Sequence, residues 1–468
     1  MKRMINKLIV IITKTMVNSR FTWPLVLVYS KIVIEIRPKN KKTPSGKPTL
    51  LALNPERFRG DLEILADSGK FRVLKIPLDW QNRLLGLYSE KINSYLPKKL
   101  KGRKVIYFNP EGNSELIENK TLLKIINQQT RLRSFLKIFL KAFYKKMEIN
   151  GVIGAGVHFK QDYDWGLVSN NIGVPYIVMH RENLYTVPEL QKIKVNEYEK
   201  YNKFVGDHII VQNKISEDIF MESGYVDSEK ISAIGSLRMD GFVRKTKSVK
   251  YAKPTIKNKL KVVLFSFHYG AAIWNKVGIG FKNRSNGYVK MFEHVHVSFA
   301  KLAMQNSDVD FVIKPKWGGP WIDEIEYVFR KNNIDSSEVD NLSILVDCNV
   351  HELIHEADVV CGFSSTVLLE AAITGIPVIV PCFDEALKPE YAENIQFKEE
   401  LDIFDVAHSI DDFENLIIEK LEKPTRVGKD LLQERYAVFE KYVSSMNGDA
   451  LDKYVNTINK VIKESQCA

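Results

Sequence analysis

The feature that most constrains the fold is a phrase that occurs twice, once in each half of the chain. Gly173-Val174-Pro175 and Gly375-Ile376-Pro377 each follow a segment of helical character and precede an apolar run. Glycine can end a helix in a left-handed conformation, and proline can begin a buried strand because no amide donor is needed there. A helix that leads directly into a fully buried strand is typical of parallel α/β proteins. The sequence therefore predicts this arrangement in both halves.

The length of the chain, 468 residues, suits two domains and connecting helices better than one hydrophobic core. In both halves, short apolar runs alternate with helical segments as in a βαβ series, a strand at 104–108 among them. Between the two series lies a basic, polar stretch that contains Pro254 and lacks periodicity, as linkers do. We predict a first domain at 1–245, a linker at 246–259 and a second domain at 260–440. The last segment, 441–468, is predicted to be a helix that can cross back to the first domain.

The charge of the chain indicates which classes of partner it can bind. The formal net charge is +11, and basic residues are dense at 98–104 and along 131–147. Such a balance suits a phosphorylated substrate, an anionic lipid or nucleic acid. The basic runs lack interleaved aromatic residues and a recognition motif, so no nucleic-acid partner is expected. The segment 131–147 has the pattern of a basic amphipathic helix, which can lie on an anionic membrane surface or pack its apolar side on a sheet.

Cysteine usage indicates a reducing compartment. The cysteines are Cys348, Cys361, Cys382 and Cys467. They form no Cys-x-x-Cys pair, and neither they nor the histidines show the spacing of metal ligands. The apolar runs 8–12 and 21–28 are too short to span a bilayer. We expect a cytoplasmic protein with buried thiols and without a structural metal, and contact with the inner face of the membrane is a further expectation.

The most informative segment is 354–381, which reads IHEADVVCGFSSTVLLEAAITGIPVIVP. A buried strand ends in a turn, and Ser364, Ser365 and Thr366 then open a helix. Hydroxyl side chains cap helices, and a helix start at the carboxyl edge of a parallel sheet suits a phosphate or pyrophosphate. Glu370 follows about one turn later, where its carboxylate can accept hydrogen bonds from ribose hydroxyls. The alternative is a capped structural helix, with Glu370 in a polar network of the core.

This segment resembles the donor-site signature of GT-B glycosyltransferases, in which a G-x-S/T…E-A…G-x-P-V-I phrase binds the nucleotide diphosphate and the ribose. The segment 207–242 also resembles the end of a GT-B N-terminal domain. Together the matches cover about residues 150–385, and they look most like bacterial capsule-type transferases and CDP-glycerol glycerophosphotransferases. The resemblance implies an α/β fold of two Rossmann-like, doubly wound domains that face a central cleft, with the nucleotide-sugar donor bound mainly by the second domain.

Two further donor-binding positions follow from the same resemblance. His268 lies in the loop after the first strand of the second domain, which faces the cleft in GT-B proteins and can contact the donor phosphate. Lys314 and Lys316 follow the next strand, where related families often carry a His-Pro pair. Lysine can still pair with phosphate as a point charge. The alternative for His268 is a loop histidine without a functional role.

The resemblance assigns the acceptor to the first domain, which should also supply a base if the reaction inverts configuration. A carboxylate or a histidine is the usual base. The residues we select for catalysis are Asp61, His158 and Glu182. The residues that can hold an anionic acceptor are Arg57, Arg59 and Arg181. Other candidates at the predicted strand ends are Glu56, Glu111, Asp162, Asp164 and His180. Taken singly, each catalytic candidate can also be a cap or a surface residue.

No metal and no cofactor besides the nucleotide-sugar substrate are expected, because GT-B enzymes neutralise the leaving diphosphate with helix dipoles and basic side chains. Asp162-Tyr163-Asp164 has the letters of an Asp-x-Asp metal motif, but it falls in the first domain. We interpret this occurrence as unrelated to donor binding.

Three other functions stay open. CDP-glycerol-type enzymes transfer a glycerophosphate with the same fold. UDP-N-acetylglucosamine 2-epimerases share the fold too, and residues 180–183, His-Arg-Glu-Asn, echo a phrase of that family at a different place in the chain. The lack of an evident base leaves a non-catalytic scaffold of envelope assembly. We favour sugar transfer from a nucleotide donor to a bacterial surface glycan or lipid-linked acceptor.

Overall fold

The computed structural model of the protein describes residues 22–39, 46–84, 95, 119–249, 259–273, 281 and 284–467. The predicted strand at 104–108, the basic run at 98–104 and Glu111 lie outside the described residues. The chain forms two compact units. The first consists of Met1–Asn183, Lys192–Asp240 and Gly448–Ala468, and the second consists of Leu184–Gln191 and Gly241–Asn447.

The elements up to residue 249 alternate between strands and helices. The strands are β1 (Ile34–Ile36), β2 (Thr49–Ala52), β3 (Arg72–Lys75), β4 (Ile149–Gly154), β5 (Tyr176–Met179), β6 (His208–Val211) and β7 (Ile231–Ala233). The helices are α1 (Trp23–Ile32), α2 (Asp61–Asp67), α3 (Asn119–Met147), α4 (Lys160–Asn171), α5 (Pro188–Tyr198), α6 (Lys214–Glu222) and α7 (Met239–Val249).

These strands form one sheet in the order β1-β3-β2-β4-β5-β6-β7. Strand β1 is antiparallel to β3, and the other neighbours pair in parallel. The chain starts this parallel series at β2, moves outward to β3, and then continues with β4 on the other side of β2. Because crossovers are right-handed, this reversal directs helices to both faces of the sheet. The reversal between β2 and β4 is a topological switch point.

The second unit repeats this plan. Its strands are β8 (Leu260–Phe265), β9 (Val309–Lys314), β10 (Leu342–Ile344), β11 (Val359–Gly362), β12 (Val378–Pro381) and β13 (Asp405–Ala407). The helices that follow them are α8 (Val289–Gln305), α9 (Pro320–Lys331), α10 (Val350–Glu356), α11 (Thr366–Ala372), α12 (Pro389–Ala392), α13 (Ile410–Glu422), α14 (Lys429–Tyr442) and the C-terminal α15 (Ala450–Cys467).

The second sheet has the order β10-β9-β8-β11-β12-β13, and all its pairs are parallel. Counted along the chain this is 3-2-1-4-5-6, the strand order of Rossmann folds, with the switch point between β8 and β11. Every residue of β11 and β12 is buried. Such strands are covered on both faces, which explains why they read as uninterrupted apolar runs in the sequence.

The C-terminal helix α15 packs on the first sheet rather than on the second. Tyr454, Ile458 and Ile462 belong to the same buried cluster as Leu50 and Ile153. The Tyr454 hydroxyl donates to the Gly235 carbonyl at 3.1 Å. The apolar positions of α15 recur three or four residues apart, and burial of that stripe holds the end of the chain in the first unit.

The segment predicted to be a linker, 246–259, begins as helix. Helix α7 continues to Val249, and Phe242, Val243 and Thr246 are buried along one side. Sequence reasoning overlooked this apolar stripe because basic residues such as Lys245 and Lys247 alternate with it.

The predicted fold class, an α/β protein with two Rossmann-like, doubly wound domains, is confirmed. The four cysteines are unbridged, and Cys361 and Cys382 are buried whereas Cys467 is exposed. Within the part of the chain that the structure describes, no helix is both long enough and apolar enough to span a bilayer.

Candidate active site

The strongest candidate site lies at the switch point of the second sheet. Strands β8 and β11 end side by side, with Gly362 opposite Phe265. A Cβ atom on Gly362 would lie 3.2 Å from the Phe265 carbonyl oxygen, so glycine permits this close approach. Because the strand order reverses here and crossovers are right-handed, the connections that leave the two strands are expected to lead to opposite faces of the sheet. In open α/β sheets, ligands bind in the crevice that this divergence creates.

The predicted hydroxyl cluster occupies the start of the loop and helix after β11. Ser364 has a φ of 49°, and its Oγ accepts from the Gln396 backbone amide at 3.4 Å. Ser365 is the N-cap of α11 and accepts from the Val367 amide at 3.4 Å. Thr366 is the first helical residue and is partly exposed, as are both serines. The helix is seven residues long.

Glu370 is buried and has a partner that the sequence did not indicate. Its side chain is 5% exposed, and Oε2 lies 3.2 Å from Nε2 of His351 on α10. The ring of His351 in turn packs on Phe242, with centroids 4.4 Å apart. A carboxylate has about four lone-pair positions, so one imidazole does not exhaust its capacity to accept hydrogen bonds. The side chain is thus held in one orientation and shielded from water.

His268 lies in the loop after β8. Its Nδ1 accepts from the Gly270 backbone amide at 2.8 Å. The ring proton therefore sits on Nε2, which is the arrangement needed to donate to a phosphate oxygen. The ring packs beside Phe281 at 4.6 Å and beside Trp321 at 5.9 Å between centroids.

The two lysines after β9 differ in their environment. Lys314 is buried, and its Nζ donates to the Pro315 carbonyl at 2.7 Å. Lys316 is exposed, with Nζ 4.9 Å from the ring centroid of Trp317, which is 55% exposed. An exposed ammonium can reach an anionic ligand without first leaving a buried hydrogen bond. Of the two predicted lysines, Lys316 is the one placed for that role.

His296 supports the loop after β8, and the sequence did not indicate this role. The residue is fully buried, its Nδ1 donates to the Phe292 carbonyl at 2.7 Å, and its Nε2 accepts from the Ser266 hydroxyl at 2.9 Å. Burial lowers the pKa of His296 to about 4, so the ring is neutral at physiological pH. The pair anchors the first residue after β8.

The helix that carries Glu370 is anchored at its far end. Arg435 of α14 is fully buried, and it donates to the carbonyl of Ala372, the last residue of α11, at 3.5 Å. It also donates to the Ile403 carbonyl at 2.8 Å and to the Ile376 carbonyl at 2.7 Å. Burial lowers the pKa of Arg435 to about 10, so the side chain stays protonated at neutral pH. A cation suits this position because the carbonyl groups at a helix end carry partial negative charge.

In the first unit, the structure brings the predicted residues Asp61 and Arg181 together. Nη1 of Arg181 donates to an oxygen of Asp61 and to the Phe58 carbonyl. Burial raises the pKa of Asp61, and the nearby guanidinium groups of Arg181 and Arg238 act against that rise. The Arg181 guanidinium therefore has a built-in partner, in addition to any acceptor it binds.

The other predicted acceptor-binding residues lie at the surface. Arg57 and Arg59 are both exposed. The guanidinium of Arg57 lies 5.3 Å from the ring centroid of Phe159, and Arg59 has a φ of 49°.

The predicted residue His158 lies in an aromatic cluster after β4. Its ring centroid is 5.0 Å from that of His180 and 6.0 Å from that of Tyr198. The side chain of Glu182 is exposed. The backbone carbonyl oxygen of Glu182 lies 3.1 Å from Nε2 of His180. Asn183 donates to the His180 carbonyl and accepts from the Gln212 amide. The phrase at 180–183 therefore ties together the ends of β5 and β6.

A second polar feature of the first unit surrounds Asp162, which sequence reasoning did not select. Its Oδ1 accepts from Gln81 Nε2 at 2.5 Å, and Gln81 Oε1 accepts from the Asn54 backbone amide at 3.0 Å. The other carboxyl oxygen and both polar atoms of the Asn54 side chain are buried without a hydrogen-bond partner in the described part of the chain. Burial raises the pKa of Asp162 to about 7. The sequence placed Asp162 among the candidates at strand ends but gave no signal for its partner, because Gln81 lies 81 residues away.

Both candidate sites thus lie beside the switch points of parallel α/β sheets, which is where such sheets bind ligands. Among the residues that the structure describes, no three His, Cys, Asp or Glu side chains gather as they would around a metal ion.

The sequence matches no protein-family model and no curated protein. The chain is similar to the crystal structure of UDP-GlcNAc 2-epimerase from Neisseria meningitidis bound to UDP-GlcNAc, with 13% identity and a TM-score of 0.45 over 88% of this chain and 99% of that one. It is also similar to the wall teichoic acid polymerase TagF, with 14% identity and a TM-score of 0.44 over 88% and 99%. A third similar structure is Anabaena HepE in complex with UDP-glucose, with 12% identity and a TM-score of 0.39 over 90% and 99%.

Proposed function

We propose that the protein is a glycosyltransferase that moves a sugar from a nucleotide-activated donor to a cell-surface glycan or a lipid-linked acceptor. The observation that carries this proposal is the switch point between β8 and β11, where the hydroxyl cluster at 364–366 and the oriented carboxylate of Glu370 stand in the loop and helix after β11. This is the place and the chemistry that a nucleoside diphosphate requires. No cofactor beyond the nucleotide sugar enters the proposal.

In this proposal, the second unit binds the donor. The Ser365 and Thr366 hydroxyls and the backbone N–H groups beside them face the diphosphate, while His268 donates through Nε2 and Lys316 adds a positive charge. Glu370 accepts from the ribose hydroxyls, with its orientation kept by His351. The charge that develops on the leaving diphosphate is then met by donors already in place, which is how such sites lower the barrier.

In this proposal, the first unit binds the acceptor and supplies the group that takes its proton. Arg181 would bind an anionic group of the acceptor. Asp162 suits proton transfer, because burial raises its pKa to about 7 and a base works best with a pKa near the working pH. His158 is the other candidate, since an imidazole is a usual base. Asp61 is reassigned from base to positioning residue, because its contact with Arg181 fixes that guanidinium. Glu182 contributes no described side-chain contact to this group.

The test of the proposal is a thermal-shift screen of the full chain with UDP, CDP, CMP, GDP and ADP. A ligand that binds only the folded state raises the melting temperature by mass action. We expect one nucleotide to stabilise the protein clearly more than the others. Absence of any shift would contradict the donor site and leave the scaffold interpretation. In a second assay, UDP-GlcNAc is supplied without an acceptor. Conversion of UDP-GlcNAc to its epimer would contradict the proposed sugar transfer and identify an epimerase. A preference for CDP in the nucleotide screen would favour glycerophosphate transfer.

Ser365→Ala offers a smaller and more local test. Loss of the cap of α11 is expected to lower the free energy of unfolding by about 1 kcal/mol. If Ser365 also faces the diphosphate, nucleotide affinity should fall by a further factor of roughly 5 to 10. The matched control is Ser409→Ala, which removes the N-cap of α13, where Ser409 accepts from the Asp412 amide at 3.0 Å. Equal affinities in the two variants would mean that Ser365 is only a cap.

A further inference from the structure

Helices α1 and α3 of the first unit form a surface that the proposed nucleotide site does not explain. Tyr29 packs its ring on Phe139 with centroids 5.2 Å apart, and Lys146 places Nζ 5.7 Å from the ring of Trp23. The helices therefore run side by side in opposite directions. The basic amphipathic helix predicted at 131–147 is part of α3, and its apolar residues Phe139 and Phe143 are fully buried.

The exposed side of α3 is basic, and the helix carries no acidic residue of its own. Helix α3 has no aspartate or glutamate along Asn119–Met147. Its exposed basic residues in the C-terminal half are Arg131, Lys137, Lys141, Lys145 and Lys146. Like charges four residues apart destabilise a helix, and no acidic residue of α3 relieves the repulsion within the row Lys137, Lys141 and Lys145. An external anion that neutralises the row would remove this repulsion.

The neighbouring helix α1 exposes apolar side chains. Trp23 is 50% exposed, Leu27 is 40% exposed and Val28 is 42% exposed. Ile138 of α3 is 40% exposed and lies between the lysines. Trp23 and Leu27 are four residues apart, so they share one face of the helix. A row of cations beside exposed tryptophan and aliphatic side chains is the composition of helices that lie in the interface of a bilayer.

We propose that this α1–α3 surface, consisting of Trp23, Leu27, Ile138 and the row Lys137, Lys141 and Lys145, docks the protein on a membrane surface rich in anionic lipid. Anionic lipid headgroups neutralise the row, and the apolar side chains enter the boundary between headgroups and acyl chains. A nucleic acid would satisfy the charges, but it would leave the aliphatic residues exposed. The inference goes beyond the proposed function and does not depend on it.

The test is co-sedimentation of the full chain with vesicles of phosphatidylcholine and with vesicles that also contain phosphatidylglycerol. We expect binding to the mixed vesicles alone, weakened by added salt. Each cation near an anionic surface contributes roughly fivefold to affinity, so Lys137→Glu, Lys141→Glu and Lys145→Glu combined should weaken binding by about a hundredfold or more. Trp23→Ser with Leu27→Ser should weaken it by about tenfold.

The matched control carries the same change of charge elsewhere. Lys388, Lys423 and Lys429 are exposed lysines of the second unit, and their combined replacement by glutamate should leave vesicle binding unchanged. Equal loss in this control, or full binding by the α3 variant, would overturn the proposal. Binding of a nucleic-acid duplex but not of vesicles would overturn it too. The nucleotide-induced thermal shift is measured on the same variants, so failure of the membrane surface and failure of the donor site are distinguished.

Discussion

Replacing Glu370 with glutamine is expected to weaken nucleotide binding by about a hundredfold or more, while the protein stays folded. The substitution keeps the volume of the side chain and removes its negative charge. Hydrogen bonds to a charged group contribute about 1.5–3 kcal/mol each, and ribose offers two hydroxyls to the carboxylate. The measurement is isothermal titration calorimetry with the nucleotide that shifts the wild-type melting temperature most.

The control for this substitution is another buried glutamate of the same unit. Glu400 is 8% exposed and accepts from Lys441 Nζ at 2.6 Å and from the Tyr442 hydroxyl at 2.7 Å. Glu400→Gln should reduce stability and leave nucleotide affinity unchanged. Wild-type affinity in Glu370→Gln would remove this residue from the donor site and reduce it to the partner of His351 in the core. The glutamine variant is preferable to alanine, which would leave a cavity beside His351.

Replacing Asp162 with asparagine is expected to raise the free energy of unfolding at neutral and alkaline pH. At acidic pH, the variant and the wild type should be about equally stable. The pKa of Asp162 is raised by burial to about 7 in the folded protein, whereas the ordinary value for aspartate is 3.8. The folded state thus holds its proton more tightly than the unfolded state does. Its contribution to stability is fully present below pH 4 and is lost as the pH rises to about 7.

The size of this effect follows from the shift in pKa. One pKa unit corresponds to about 1.4 kcal/mol, so the ionised carboxylate costs on the order of 4 kcal/mol above neutral pH. Asparagine does not titrate and can keep the hydrogen bond from Gln81. The free energy of unfolding, measured with urea between pH 4 and pH 8.5, should therefore be similar for both proteins at the acidic end and diverge towards the alkaline end.

Two observations would argue against this account of Asp162. One is a difference between Asp162→Asn and wild type that does not change with pH. The other is a similar divergence in Asp218→Asn, which alters a side chain of α6 that is 52% exposed. If the first prediction holds, the same variant also tests catalysis: lost transfer in a stabilised protein would identify Asp162 as the proton-transfer group at the first switch point.

Much of the fold was predictable because local pattern and burial agree. The predicted alternation of short apolar runs with helical segments is found, for example in strand β8 (Leu260–Phe265) and helix α8 (Val289–Gln305). Apolar runs bounded by Gly and Pro become strands buried on both faces, and this rule works wherever the run is short and uninterrupted. The pattern was less informative at α7, where basic residues are interleaved with the buried side chains. The last residues of that helix, 246–249, were therefore predicted to be linker.

The candidate donor site was predictable in its position but not in its contacts. Ser365 and Glu370 were selected because a capped helix after a buried strand has a recognisable local sequence. The contact between Glu370 and His351 joins residues 19 apart, and that between Ser266 and His296 joins residues 30 apart. No periodicity encodes such pairs. Arg435 is a further example, because its carbonyl partners are set by the packing of α14.

The sequence by itself determined the class of this protein, since two series of buried strands and amphipathic helices can be covered only by layers of α/β structure. Only the tertiary structure decided which polar groups meet. It paired Arg181 with Asp61 and gave Asp162 the neighbour Gln81. The physical reason is that burial acts on each residue locally, and so leaves a pattern in the chain. A hydrogen bond between distant residues depends instead on a few ångströms of final packing, which no local pattern records.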